Sequence, residues 1–228
     1  MILRFGDSLL QLSAPDPLKP RKEPQQPRAA ATLSAIFEAT IQVLLADGER
    51  RLTTTRVAER AGVSVGTMYQ YYPHKQALLY AVLQSHLAYI SPAVEAACRI
   101  GRGRTADKMG KLLVGSFLDA KIERLDVTRA LYLIAEDVDT RSLLVAASER
   151  NVAAATGMLA TASDGEFNKL ATVAFTLFAC IAGSTRIVFE RGATLLALQE
   201  LRHELSLICC SYLKAARIVR HGDTIEAP

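Results

Sequence analysis

Aromatic residues make up only 6% of this 228-residue chain, yet Tyr69, Tyr71 and Tyr72 fall within four positions of one another. The chain also lacks the residue spacings that most chemistry requires. Its four cysteines, Cys98, Cys180, Cys209 and Cys210, form no CxxC pair and no Cys/His pattern, which argues against a zinc site or a disulfide framework. Reduced, buried thiols are the expectation, with redox sensing by Cys209-Cys210 as the alternative. No Ser-His-Asp spacing, glycine-rich phosphate loop or paired-carboxylate motif stands out. His86, His203 and Glu204 occupy ordinary helical positions. The reading is therefore of a protein that is not an enzyme and uses no cofactor and no metal. The N-terminus lacks a basic region followed by a long apolar run, so no secretory signal is expected. The longest uncharged apolar run, "LATVAFTLFACIAGST" from Leu170 to Thr185, is shorter than the ~20 residues a membrane span needs. A buried helix, no membrane partner and a cytoplasmic location are the expectations.

Half of the residues are hydrophobic, enough to bury a core, and the 27 basic residues nearly balance the 23 acidic ones. The distribution of charge is more telling. Between Arg50 and Lys75, Arg50, Arg51, Arg56, Arg60 and Lys75 stand against Glu59 alone, either a local anion-binding face or a solvated surface. Residues 1–27 read as a disordered, basic tail. "APDPLKPRKEPQQP" places five prolines in fourteen positions, which prevents helix and leaves little to bury. Residues 221–228 read as a second tail.

From Arg28 onward the periodicity is helical and no run alternates as a strand does. Leu33, Ile36, Phe37, Thr40, Ile41, Leu44 and Leu45 mark an amphipathic helix, stopped at Asp47-Gly48. Three short elements follow, Thr54 to Ala61, Val65 to Tyr71 and a helix from Lys75 to about Ile90, with a break expected at Pro92. Further helices are expected at about 92–99, 106–123, 127–137, 140–162, 166–190 and 194–218.

The stretch "TTTRVAERAGVSVGTMYQYY" has the build of a helix-turn-helix. Thr53 can cap the first helix and Ser64 the second. Val57, Ala58 and Ala61 give a small apolar face, and Gly62 permits a left-handed turn. At 100° per residue, Val65, Met68 and Tyr72 share one side of the second helix and are expected to face the core. Gly66, Thr67, Gln70 and Tyr71 lie on the other side, with Tyr69 at the border. Gln can bond base edges, and a Thr methyl can contact thymine. Tyr and Thr hydroxyls can hold phosphates, and Gly66 lets the backbone approach. Lys75 starts the next helix, where its ammonium and the free N–H groups suit a phosphate. The alternative is a solvent-exposed turn between core helices.

The segment from Arg28 to Ile90 resembles the TetR family of bacterial transcriptional repressors. Ala58, Gly62, Val63, "GTMYQYY" (66–72), Lys75 and "ALL" (77–79) carry the resemblance. It implies an all-α fold: an N-terminal three-helix DNA-binding domain, here 28–74, and a helical regulatory and dimerisation domain, here 75–220. It further implies a homodimer that binds a palindromic operator and responds to a small-molecule effector. By position, Thr54 matches a phosphate contact and Thr55 a base contact. Thr67, Tyr69, Gln70 and Tyr71 match the recognition helix, and Lys75 matches the phosphate contact after it. Tyr72 replaces a common Phe. His74 replaces a usual Asn and reads as a helix cap or a surface residue. Helices 166–190 and 194–218 correspond in position to the family's dimer pair, with an internal core helix as the alternative for 170–185. Candidate residues for an effector pocket are His86, Tyr89, Phe117, Tyr132, Glu136, Phe175 and Phe178; ordinary core or surface roles are the alternative for each. A helical adaptor that binds protein through the same helix-turn-helix is the competing function.

Overall fold

The computed structural model describes residues 27–132 and 140–218. The two sequence-read tails lie outside these residues but for Pro27, as does Glu136. Among the described residues are nine α-helices and one 3-10 turn: α1 (Pro27–Asp47), the turn Glu49–Arg51, α2 (Thr54–Ala61), α3 (Val65–Tyr71), α4 (Lys75–Gly101), α5 (Ala106–Glu123), α6 (Leu125–Tyr132), α7 (Arg141–Leu159), α8 (Leu170–Glu190) and α9 (Leu195–Ala216). No strand ladder forms among them, apart from an isolated bridge between Glu166 and Ile218. The all-α expectation therefore holds.

The chain divides into two compact units, one of residues up to Tyr89 with Glu123–Ala146, the other of Ile90–Ile122 with the chain from Ala147. In the first unit α1 packs on α2 and α6, and α2 packs on α3. Its core joins Ile36 and Leu44 of α1 to Val57, Ala58, Met68, Tyr72, Leu78 and Leu79, and extends to Ala130 and Leu131 of α6. In the second unit α8 packs on α9. Leu177, Phe178 and Ile181 of α8 and Leu198, Leu205 and Leu213 of α9 are buried, as are Leu113, Phe117 and Leu118 of α5.

Two boundaries differ most from the sequence reading. α4 does not break at Pro92 but runs on to Gly101. Proline inside a helix costs about 3 kcal/mol in isolation, but Ala88, Ile90, Ser91 and Val94 around it are buried, and packing of that kind outweighs local propensity. At the other end, α8 starts at Leu170 rather than 166. Glu166 instead exchanges backbone hydrogen bonds with Ile218 at 3.0 and 2.8 Å, and satisfied pairs in that conformation leave no demand for a helical turn.

The apolar run read as too short for a membrane also belongs to a longer helix. By length and composition alone, Ala29–Asp47, Lys75–Gly101 and Leu170–Glu190 are apolar enough to cross one. α8, however, ends with Arg186 and Glu190 paired to each other, and one side of it is buried within the protein.

Candidate nucleic-acid interface

The helix-turn-helix is built by caps that the local sequence supplies. Thr53 accepts a hydrogen bond from the Arg56 amide, and Ser64 accepts one from the Thr67 amide. Each satisfies an N–H that the start of a helix leaves without an intrahelical partner. Gly62 ends α2 at φ 68°, ψ 28°. That left-handed conformation suits glycine, which has no Cβ to clash. Its amide and that of Val63 both return to carbonyls of α2, which closes the turn onto that helix. Val57, Ala58 and Met68 are fully buried where α2 meets α3.

The sequence-read contact residues then separate by exposure. Thr55, Gly66, Tyr69 and Gln70 are exposed, and Thr67 is half-buried with its hydroxyl 2.8 Å from Ser64 Oγ. Thr54 is mostly buried, and its hydroxyl donates to the Tyr69 hydroxyl at 3.3 Å. This bond ties the start of α2 to α3.

Tyr71 is a correction. The helical wheel places it outward, but it is only 6% exposed, inside the same core as Tyr72. The two rings lie 6.5 Å apart, and Phe37 of α1 stands 6.1 Å from Tyr72. A wheel assigns faces as if neighbours lay on one side; α3 has only seven residues, and its end is enclosed. Burial, with the adjacent Tyr71 phenol, pushes the Tyr72 hydroxyl well above the ordinary tyrosine range. Val65 departs in the opposite sense: expected in the core, it is 38% exposed at the first position of α3.

His74 caps α4, accepting the Ala77 amide on Nδ1 at 3.2 Å. This is the cap role read from its place in the sequence. Lys75 is not a bare cation. Its Nζ donates to the Glu49 carbonyl at 3.2 Å and lies 3.1 Å from the Glu49 carboxylate. Arg56 likewise meets Asp47 at 3.2 Å, and Arg60 Nε donates to Gln42 at 2.8 Å. Sequence reasoning missed Glu49, Asp47 and Gln42 as partners. No local motif announces them, because each contact crosses from one element to another.

The residues expected to line an effector pocket are divided between the two units. In the first, His86 is buried, with Nε2 3.1 Å from Thr128 Oγ1. Tyr89 is half-buried with Arg124 over its ring at 5.9 Å. Burial, then its bond to Glu123, pushes the Tyr89 phenol up to about 12. Tyr132 is half-buried. In the second unit, Phe117 and Phe178 are buried edge-to-face at 5.3 Å. Phe175 is a correction: it is 59% exposed on α8 and lines no interior space. An apolar residue in the run 170–185 is expected to face inward, but α8 buries only one side.

Comparisons with known proteins agree with this arrangement. The sequence profile of bacterial regulatory proteins of the tetR family matches residues 36–82, and that of the tetracyclin repressor-like C-terminal domain matches residues 107–213. Among curated proteins, none matches the sequence. A TetR-family transcriptional regulator structure from Mesorhizobium loti superposes with a TM-score of 0.68 at 16% identity, covering 85% of this chain and 100% of that one. PfmR, a TetR-family transcriptional regulator from Thermus thermophilus, gives 0.59 at 14% identity, covering 76% and 96%. The fatty acid degradation regulator FadR from Bacillus halodurans gives 0.51 at 14% identity, covering 86% and 97%. At such identities the likeness is one of fold.

Proposed function

The chain belongs to the TetR family of bacterial DNA-binding transcriptional regulators, and from that premise we propose that it is a repressor that binds a near-palindromic operator as a homodimer and releases it on binding a small-molecule effector. The observation that carries the reading is the capped helix-turn-helix, whose α3 exposes Gly66, Tyr69 and Gln70 beside Thr55 of α2. Gln70 is the base reader in this proposal. Thr54, Thr67, Tyr69 and Lys75 position the backbone, and residues 28–74 form the DNA-binding domain. Tyr71 keeps at most a hydroxyl contact, since its ring is buried.

One recognition helix covers few base pairs, so a second copy related by a two-fold axis is needed to read a longer site. The surface of α8 and α9 supports that assembly. Phe175, Ile187, Leu196, Leu207 and Ile208 are half or more exposed, and Ala171, Ala179 and Gly183 lie exposed on α8. Apolar and small side chains on two adjacent helices suit a close-packed four-helix interface with the same pair from a second chain. The effector would be held within the regulatory domain, residues 75–220. It releases DNA only by as much as it favours the non-binding state.

Selection of bound sequences from a random pool, followed by gel shift at about 0.1–0.2 M salt, where non-specific binding weakens, tests the proposal. A near-palindrome with a two-fold complex is expected. Recovery of no preferred sequence would favour the protein-binding adaptor and end this reading.

A further inference from the structure

Within the second unit, α4 and α7 each carry a stripe at helical spacing that lines one cleft. Glu95, Cys98 and Arg99 at the end of α4, with Arg102 in the turn just after it, recur at intervals of three and four, and so do Arg150, Ala153, Ala154 and Gly157 of α7. With Met158 they line an open cleft of about 350 Å³, at the small end of the range for small-molecule sites. None of the residues expected from the sequence to bind an effector lines it.

Three guanidiniums face this cleft against one carboxylate. Arg150 spends Nε and Nη2 on Glu95, the second at 2.7 Å. Its Nη1 is buried and has no hydrogen-bond partner among the described residues. A buried donor without an acceptor is costly, and a guanidinium presents its nitrogens in a fixed fork suited to planar or tetrahedral oxyanions. Arg99 and Arg102 are exposed and join no salt bridge among the described residues. Arg99 in the last turn of α4 also complements the helix dipole, but that explains neither the orphaned Nη1 nor the open space. Gly157 lines the opening without a side chain. A Cβ there would stand 4.0 Å from Arg102 Nη1, so a larger side chain would enter the cleft. The remaining wall is apolar: Ala153, Ala154, Met158 and Cys98.

We propose that this cleft binds a small amphiphilic anion, its carboxylate or phosphate head on the exposed Arg99 and Arg102 beside the Arg150 guanidinium, and its short alkyl body on Ala153, Ala154 and Gly157 over the buried Met158. The proposal concerns binding alone and does not depend on the chain reading DNA. The full chain, labelled at its methionine methyls, is titrated with octanoate, octyl phosphate, octanol and inorganic phosphate. Octanoate or octyl phosphate should shift the Met158 resonance while leaving Met109 in place, and the tighter of the two identifies the head group. Octanol and inorganic phosphate should bind at least about tenfold more weakly, as each lacks one half of the ligand. Arg99→Gln with Arg102→Gln, both exposed and outside the core, should weaken binding by about tenfold or more. Gly157→Val should abolish the Met158 response with the Met109 signal unchanged. Octanol binding as tightly as octanoate, no Met158 response to either alkyl anion, or full affinity in either variant would overturn the proposal.

Discussion

Lys75 Nζ lies 3.1 Å from the Glu49 carboxylate and also donates to the Glu49 carbonyl. The cation expected to hold a DNA phosphate is therefore shared with an internal acid. A phosphate approaching Lys75 must compete with Glu49, and Glu49 adds its own repulsion. Glu49→Gln should raise affinity for any DNA sequence several-fold, and steepen the salt dependence by up to about one ion per site. Lys75→Ala should do the reverse. Fluorescence anisotropy across a salt series measures both. If Glu49→Gln has the same effect when Lys75 is already alanine, Lys75 is not the group that Glu49 restrains.

Base preference is expected to rest on Gln70, exposed on α3. Gln70→Ala should cost about 1–3 kcal/mol at its cognate base pair and relax discrimination there. Lys75→Ala should lower binding to all sequences alike. Comparing selected sites for the two variants decides the roles. A changed consensus with Lys75→Ala and an unchanged one with Gln70→Ala would reverse the assignment.

What the sequence made legible was local. Thr53, Gly62, Ser64 and His74 act within a turn of their own positions, and their bonds are where the pattern put them. What it left hidden depends on chain segments far apart. Lys75 finds Glu49 twenty-six positions away, and Tyr71 is covered by elements its own helix does not contain. Pro92 reads as a stop from propensity, but the burial of Ile90 and Val94 is tertiary. The wheel failed at α3 because seven residues make too short a helix to have one simple outer face.

The imidazole cap of α4 gives a stability prediction. His74 Nδ1 accepts from Ala77; an asparagine oxygen can do the same, but an alanine cannot. His74→Ala should lower stability by about 1 kcal/mol, whereas His74→Asn should match or exceed the parent. Urea melts of the three proteins measure the difference. Equal loss in both variants would mean that the ring contributes by packing rather than by capping.

The apolar surface of α8 predicts an assembly. Phe175 is 59% exposed in the single chain, so Phe175→Glu should leave the fold intact, as circular dichroism would report. If that face joins two copies, a buried glutamate on each would lie unpaired and weaken the dimer strongly. Sedimentation equilibrium should show a monomer, and operator affinity should fall with it. A variant that stays dimeric would place the interface elsewhere.

Lys121 of α5 makes a prediction about pH. Its Nζ sits 5.0 Å from the Phe117 ring centre and 5.9 Å from that of Phe189. Burial lowers its pKa from the ordinary 10.5 to about 8. Folding thus disfavours the charged amine. Below about pH 8 the amine is protonated in both folded and unfolded chains, and the penalty is present in full. Between about 8 and 10.5 the unfolded chain holds more protons than the folded one, so this group's contribution to stability rises with pH. Lys121→Met keeps the length and removes the charge. Relative to the parent, its stability should be greatest near pH 7 and fall by on the order of 3 kcal/mol as pH rises. The fall should level off toward pH 10.5, where the lysine is neutral in the folded chain and losing its charge in the unfolded one. Denaturant melts of both proteins from pH 7 to 10.5 isolate the term, because all other titrating groups are common to them. A stability difference that stays constant over that range would mean that Lys121 keeps its ordinary charge when folded.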